Sequence, residues 1–64
     1  MPGTYIFRYF NPEGGLIRMS MKQCASMREA LAIAVNDCGE CQRIQISLGD
    51  RIVWSGSIEQ AKAA

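Results

Sequence analysis

The segment SMREALAIAVNDCG, residues 26–39, is the strongest indication of the fold, because it has the features of one amphipathic helix. Ser26 and Glu29 have the spacing of a capping box, in which each side chain satisfies a backbone N–H at the start of the helix. Gly39 can adopt the left-handed conformation that ends a helix. Between these ends, apolar residues recur at helical spacing and form a single stripe: Met27, Ala30, Leu31, Ala34, Val35 and Cys38.

Two predicted β-hairpins flank this helix. Residues 4–10, TYIFRYF, are β-branched and aromatic and predict a strand, and the turn formers NPEGG lead into a second strand at 16–21. After the helix, residues 42–48 alternate between polar and apolar, Gly49-Asp50 forms a tight turn, and residues 51–55 return as a fourth strand. For residues 57–63 two outcomes stay open: a short C-terminal helix, with Ser57 and Gln60 as a second capping pair, or a frayed end of the chain.

The order of these elements predicts the fold class. A chain of 64 residues makes a single domain, 1–64. We predict an α+β fold: a two-layer ββαββ domain with a four-stranded antiparallel sheet and one helix packed on one face. The hairpins set antiparallel pairing within each half, and a mixed sheet stays open as an alternative. We expect the first and last strands to meet, as in β-grasp-like folds.

Strand alternation assigns residues to the two faces of the sheet. Arg8 cannot lie unpaired in so thin a core, so its neighbours Tyr5, Phe7 and Tyr9 should face the helix. The same argument places further residues with them: Ile17, Met19, Met21, Ile44, Ile46, Leu48, Ile52 and Trp54. The uncovered face then carries the residues that we predict to bind a partner: Ile6, Arg8, Phe10, Arg18, Arg43, Gln45, Arg51 and Val53.

The charge is segregated, although the net charge is only +1. Four of the five arginines lie on predicted strands, and no acidic residue does. A face of arginine and apolar groups has the composition of a protein interface. It predicts a small non-enzymatic protein-interaction module, either a homodimer or an inhibitor that occupies a partner's surface. Two alternatives stay open: a solvated sheet face, and a nucleic-acid-binding face on which arginines contact phosphates and Phe10 stacks on a base.

The cysteines suggest a third alternative, a metal or redox protein. Cys38 and Cys41 form a CxxC motif, which can bind zinc or form a redox disulfide. However, the chain has no histidine and no second CxxC. Cys24 lies at the other end of the helix from Cys38, too far away to share one ion within a chain, although a metal shared across a dimer stays open as an alternative. We therefore expect reduced thiols, with Cys38 and Cys41 buried in the core, and no cofactor.

The remaining expectations concern catalysis and location. Without histidine there is no Ser-His or Cys-His nucleophile, and the carboxylates form no obvious pair, so we predict that the chain is not an enzyme. No small-molecule substrate is indicated. The chain shows no signal peptide and no apolar stretch near the ~20 residues of a membrane span. We expect a cytoplasmic protein that does not bind membranes.

Three segments carry a resemblance to a group of known proteins. They are the strand that begins Tyr5-Ile6, the capped helix start SMREA at 26–30, and RIQI at 43–46 leading into the Gly-Asp hairpin. In this layout the chain resembles small bacterial and phage ββαββ proteins, some of which are phage-encoded inhibitors of CRISPR surveillance complexes. The resemblance covers most of the chain. It implies a non-enzymatic protein that occupies a partner's surface, and it assigns no role to an individual residue.

Overall fold

The computed structural model describes residues 2–63. Its elements follow the predicted order along the chain: β1 (Gly3–Phe10), β2 (Leu16–Cys24), α1 (Met27–Asp37), β3 (Arg43–Leu48), β4 (Arg51–Ser57) and α2 (Ile58–Ala63). The largest difference in length is in β2, which continues to Cys24 rather than ending at Met21. The predicted α+β fold, with one four-stranded antiparallel sheet and helices packed on it, is confirmed.

Both helices begin with the predicted caps. The Glu29 N–H donates to Ser26 Oγ at 3.2 Å, and Glu29 Oε1 accepts from the Ala25 N–H at 2.8 Å. At α2 the Gln60 N–H donates to Ser57 Oγ at 3.2 Å, and the Ser57 N–H donates to Gln60 Oε1 at 2.8 Å. These bonds satisfy N–H groups that have no partner within the helix, which explains why both helices start where the sequence indicates.

The strand order is β2-β1-β3-β4, and every neighbouring pair is antiparallel. The prediction that the first and last strands meet is therefore wrong, because β1 pairs with β3. The reason is the connection through α1. Strands β2 and β3 both run antiparallel to β1, so they are parallel to each other. An 11-residue helix, ~16 Å long, carries the chain from one to the other across β1.

The core lies between α1 and the two central strands. Tyr5, Phe7 and Tyr9 of β1 are buried, as predicted, together with Ile44 and Ile46 of β3. The α1 stripe meets them through Ala30, Leu31 and Ala34, while Met27, Ile33 and Val35 are partly buried at its margin. Leu48 and Trp54 pack against the same cluster, as their predicted face requires. The layer of helices therefore covers one face of the sheet.

Candidate protein-binding face

Strand β2 turns its apolar side chains away from the helices, which is the reverse of the prediction. In the antiparallel register Met19 lies opposite Arg8, and Met21 lies opposite Ile6. Residues directly opposite each other share a face of the sheet. Met19 and Met21 are 55% and 64% exposed, and Ile17 is exposed as well. The prediction that Met19 and Met21 face the helix is therefore wrong, and Ile17, the extra residue of a bulge between Leu16 and Arg18, is exposed rather than packed against the helix as predicted.

The side of β2 that faces the helices is polar, because its basic residues Arg18 and Lys22 bind Asp37 at the C-terminal end of α1. The Arg18 guanidinium donates to the Asp37 carbonyl and lies 4.7 Å from the centre of the Tyr9 ring. Lys22 Nζ lies 2.8 Å from Asp37 Oδ2. Basic groups are favoured at the C-terminal end of a helix, where the carbonyl groups leave partial negative charge. The prediction that Arg18 lies on the uncovered face is therefore wrong.

A β-bulge changes the faces of the residues at the start of β4. The register pairs Ile46 with Trp54 and then Ser47 with Ile52, which leaves Val53 as the extra residue. Val53 is partly buried against the core, so its predicted place on the uncovered face is wrong. Ile52 is 56% exposed and shares the face of Ser47, so its predicted place toward the helix is also wrong. Simple alternation predicts the wrong face for these residues, because the extra residue of the bulge moves those before it to the opposite face of the sheet.

Arg51 is also displaced from the predicted face. It lies opposite Leu48, and Leu48 lies opposite Tyr5 of the core. Arg51 is therefore on the helix side of the sheet, at the exposed edge, and its predicted place on the uncovered face is wrong.

We call the side of the sheet that the helices leave uncovered the open face. The register gives it three rows across β2, β1, β3 and β4: Met21, Ile6, Ser47, Ile52; Met19, Arg8, Gln45, Ser55; and Leu16, Phe10, Arg43, Ser57. Five of the eight predicted residues are brought together here: Ile6, Arg8, Phe10, Arg43 and Gln45. The rows are apolar toward β2 and mainly polar toward β4.

Four large apolar residues on β2 form what we call the β2 strip: Leu16, Ile17, Met19 and Met21. Each is more than half exposed, so together they expose roughly two whole side chains. Covering this surface is worth about 4 kcal/mol at ~2 kcal/mol per side chain. Association costs on the order of 4–15 kcal/mol, so the strip alone supports weak binding. Tight binding requires further contacts on the open face.

Arginines at the middle of the open face give it a positive charge. Arg8 is half-buried and donates from Nη1 to Ser47 Oγ at 3.1 Å, reaching across to β3. Ser47 is consequently buried, although it lies on the open face. Arg43 is exposed. No acidic residue occurs on any of the four strands, so a partner complementary to this face carries carboxylates beside apolar groups.

On the helix side, a polar cluster ties β2 to α1. Hydrogen bonding to Asp37 raises the pKa of Lys22, and Lys22 in turn lowers the pKa of Asp37. Burial raises the pKa of Tyr9 despite the opposing effects of Ser20 and Arg18. The Tyr9 hydroxyl is buried without a hydrogen bond of good geometry within residues 2–63. These contacts tie the helix side of β2 to the end of α1, while Met19 and Met21 lie on the other side of the strand.

The three cysteines are all buried, and two of them are paired. Cys38 and Cys41 occupy core positions, as predicted, but they form a disulfide with a Cα–Cα distance of 5.4 Å. The expectation of reduced thiols is therefore wrong for this pair. Cys24 is free, and burial raises the pKa of its thiol. Within the described part of the chain, no group of three or more His, Cys, Asp or Glu side chains could hold a metal ion.

The helix layer carries a second exposed feature, a shallow groove of about 610 Å³ between α1 and α2. Its lining is mainly apolar, with two basic residues: Met27, Leu31, Ala32, Val35, Ala61, Arg28 and Lys62. The sequence pattern places Met27 and Val35 on the core stripe of α1, but both are only partly buried and line the groove beside α2. The groove lies on the opposite side of the molecule from the open face.

Comparisons with protein-family models, curated proteins and solved structures give no match for this chain. Between residues 2 and 63, no helix has the length and apolar character needed to span a membrane.

Proposed function

We propose that this chain is a non-enzymatic protein-interaction module that binds its partner through the open face. The observation that carries the proposal is the β2 strip, with four large apolar side chains more than half exposed along one edge strand. Contiguous apolar surface of this kind is uncommon on a monomer without a binding role. Methionine, phenylalanine and arginine are also enriched in interfaces, and the open face combines all three.

The β2 strip lies on an edge strand, so a partner could also form main-chain hydrogen bonds with it. Strand β2 is at the edge of the sheet, so its outer N–H and C=O groups have no neighbouring strand within residues 2–63. An exposed edge accepts an added strand from a partner, while side chains beside it give specificity. The bulge at Ile17 interrupts the register near the start of β2, so the regular part from Arg18 to Cys24 suits such pairing best.

The partner in this proposal is a protein surface with apolar and acidic groups, and a second copy of the chain is one form of it. A phage-type inhibitor that covers a partner's surface is another, which rests on the layout resemblance. A cytoplasmic location is part of the same proposal.

Nucleic-acid binding by the same face is the alternative. With Arg18 and Arg51 on the other side of the sheet, Arg8 and Arg43 remain to contact phosphates, and Arg8 already bonds Ser47. Two phosphate contacts would give a slope of only about −2 in log affinity against log salt. Titration of single- and double-stranded oligonucleotides at low salt tests this alternative, and tight binding with a steeper slope would favour it over a protein partner.

The protein-binding proposal is tested with a double variant of the β2 strip, Met19→Lys with Met21→Lys. The matched control is Ala32→Lys with Ala63→Lys, which adds the same charge at exposed positions of the helix layer. Self-association is measured by sedimentation over a range of concentrations. Any partner captured by the wild-type protein is purified and titrated calorimetrically.

We expect the wild-type protein and the control to bind equally, and the double variant to lose at least about tenfold in affinity. Circular dichroism verifies that each variant is folded. Unchanged binding by the folded double variant would contradict the proposal. So would a wild-type protein that stays monomeric and captures nothing.

A further inference from the structure

The turn between α1 and β3 carries two cysteines that the protein-binding proposal does not use. Cys38 follows the last residue of α1, and Cys41 lies two residues before β3. Both are buried and joined as a disulfide. We propose that they are a reversible dithiol–disulfide pair, and that their oxidation state controls how firmly the end of α1 holds strand β2.

The backbone brings the two cysteines together independently of the disulfide. The Cys41 N–H donates to the Cys38 carbonyl at 3.2 Å, which closes a tight turn. Gly39 has φ +65°, a left-handed conformation that glycine adopts without steric cost. The Gln42 N–H donates to the Phe10 carbonyl at 2.8 Å and anchors the far side of the turn on β1. The reduced thiols are therefore held where they can pair.

The pair is linked to β2 through the neighbouring residue Asp37. Its carbonyl accepts from Arg18, and its carboxylate pairs with Lys22 at 2.8 Å. The last turn of a helix readily frays, and a disulfide at the next residue restrains it. Oxidation should therefore stabilise the two contacts that hold β2 to α1, Arg18 with the Asp37 carbonyl and Lys22 with the Asp37 carboxylate. Reduction should loosen this edge of the sheet, which also carries the β2 strip.

The exchange reaction balances with glutathione disulfide as oxidant. One cysteine thiolate attacks it, which forms a mixed disulfide and releases one glutathione thiolate. The second cysteine thiolate then attacks the protein sulfur, forms the Cys38–Cys41 bond and releases the second glutathione. Two electrons pass from the protein to glutathione disulfide, and the two thiol protons end on the two glutathiones. Because both cysteines are buried, exchange requires local opening of the turn.

The third cysteine belongs to a separate part of the core. Cys24 ends β2, before α1 begins, and the 11 residues of α1, ~16 Å long, separate it from Cys38. It therefore cannot pair with either member of the CxxC within one chain, and Cys24→Ser simplifies the thiol count.

The test equilibrates the Cys24→Ser protein, under native conditions, in buffers with different ratios of reduced to oxidised glutathione. Alkylation and mass spectrometry count the free thiols, and hydrogen exchange reports on residues 18–24 of β2. We expect the count to change between two and none, with little mixed disulfide. Reduction should speed exchange in β2 about threefold or more, while β3 changes little. Cys38→Ser should match the reduced protein in β2 and no longer respond to glutathione.

Three results would overturn the proposal: a pair that stays reduced in excess oxidised glutathione, a disulfide that native protein never releases, or equal β2 exchange in both states. If Cys24→Ser does not fold, the wild-type protein gives the same measurement, with each alkylated cysteine located by proteolysis. The outcome is independent of partner binding, since no partner is present.

Discussion

Replacing Met21 by alanine should cost little stability, although methionine to alanine in a core is among the more damaging substitutions. Met21 is 64% exposed, so only about a third of its side chain is covered. A fully buried methionine loses about 2–5 kcal/mol on truncation to alanine. Scaled to the covered fraction, we expect a loss of about 0.7–1.8 kcal/mol. If Met21 instead faced the helix, as the sequence predicts, the substitution should cost the full ~2–5 kcal/mol of a buried methionine.

Urea unfolding measures this difference, with the fluorescence of Trp54, the only tryptophan, as the probe. Ile44→Ala is the matched buried control, because Ile44 is 1% exposed, and it should lose about 2–5 kcal/mol or fail to fold. A loss of 2 kcal/mol or more for Met21→Ala, with an unchanged denaturant slope, would refute the assignment of β2 to the open face.

Three further predictions follow from the caps, the packing and the charges. Ser26→Ala removes the acceptor for the Glu29 N–H and should cost about 1 kcal/mol, or roughly 4–8 °C in Tm by circular dichroism; an unchanged Tm would argue against the cap. Gly56→Ala would place a Cβ 2.6 Å from Gln60 Oε1 and 2.9 Å from the Trp54 ring and should cost about 1–3 kcal/mol in urea unfolding, whereas no loss would mean that both side chains move aside freely. Because Lys22 lowers the pKa of Asp37, their pair stabilises the fold above the unfolded-state pKa of Asp37 and loses this effect as pH falls through the folded-state value. Asp37→Asn should therefore be less stable than wild type at pH 7, and the gap should close in acid; a gap independent of pH would contradict the pairing.

Most of the secondary structure could be predicted because its signals are local. The Ser26 cap, the turn formers at 11–15 and the Gly49-Asp50 turn each act within a few residues, and all of these elements are present. The order of the strands could not be predicted in the same way. Pairing of β1 with β3 rather than β4 depends on the path of the chain through α1, which no local pattern records.

The composition of the open face was predicted in part, and the misses have specific causes. Apolar and polar residues alternate along β2, and this alternation fits either orientation of the strand. The prediction placed the methionines toward the helix only because they are hydrophobic. The signal that was missed is the acid at the end of α1: Asp37 attracts Arg18 and Lys22, which share one face of the strand. On β4, the bulge at Val53 reversed the parity of the residues before it.

Methionine oxidation by hydroxyl radicals tests most directly whether the open face is the binding surface. Met19 and Met21 are probes on that face, and the half-buried Met27 on the helix layer is an internal reference. If the open face is the binding surface, Met19 and Met21 react readily in the dilute free protein and become protected in the complex with its partner or with a second copy, while the labelling of Met27 is unchanged. Equal labelling of Met19 and Met21 in the free and bound protein would contradict it.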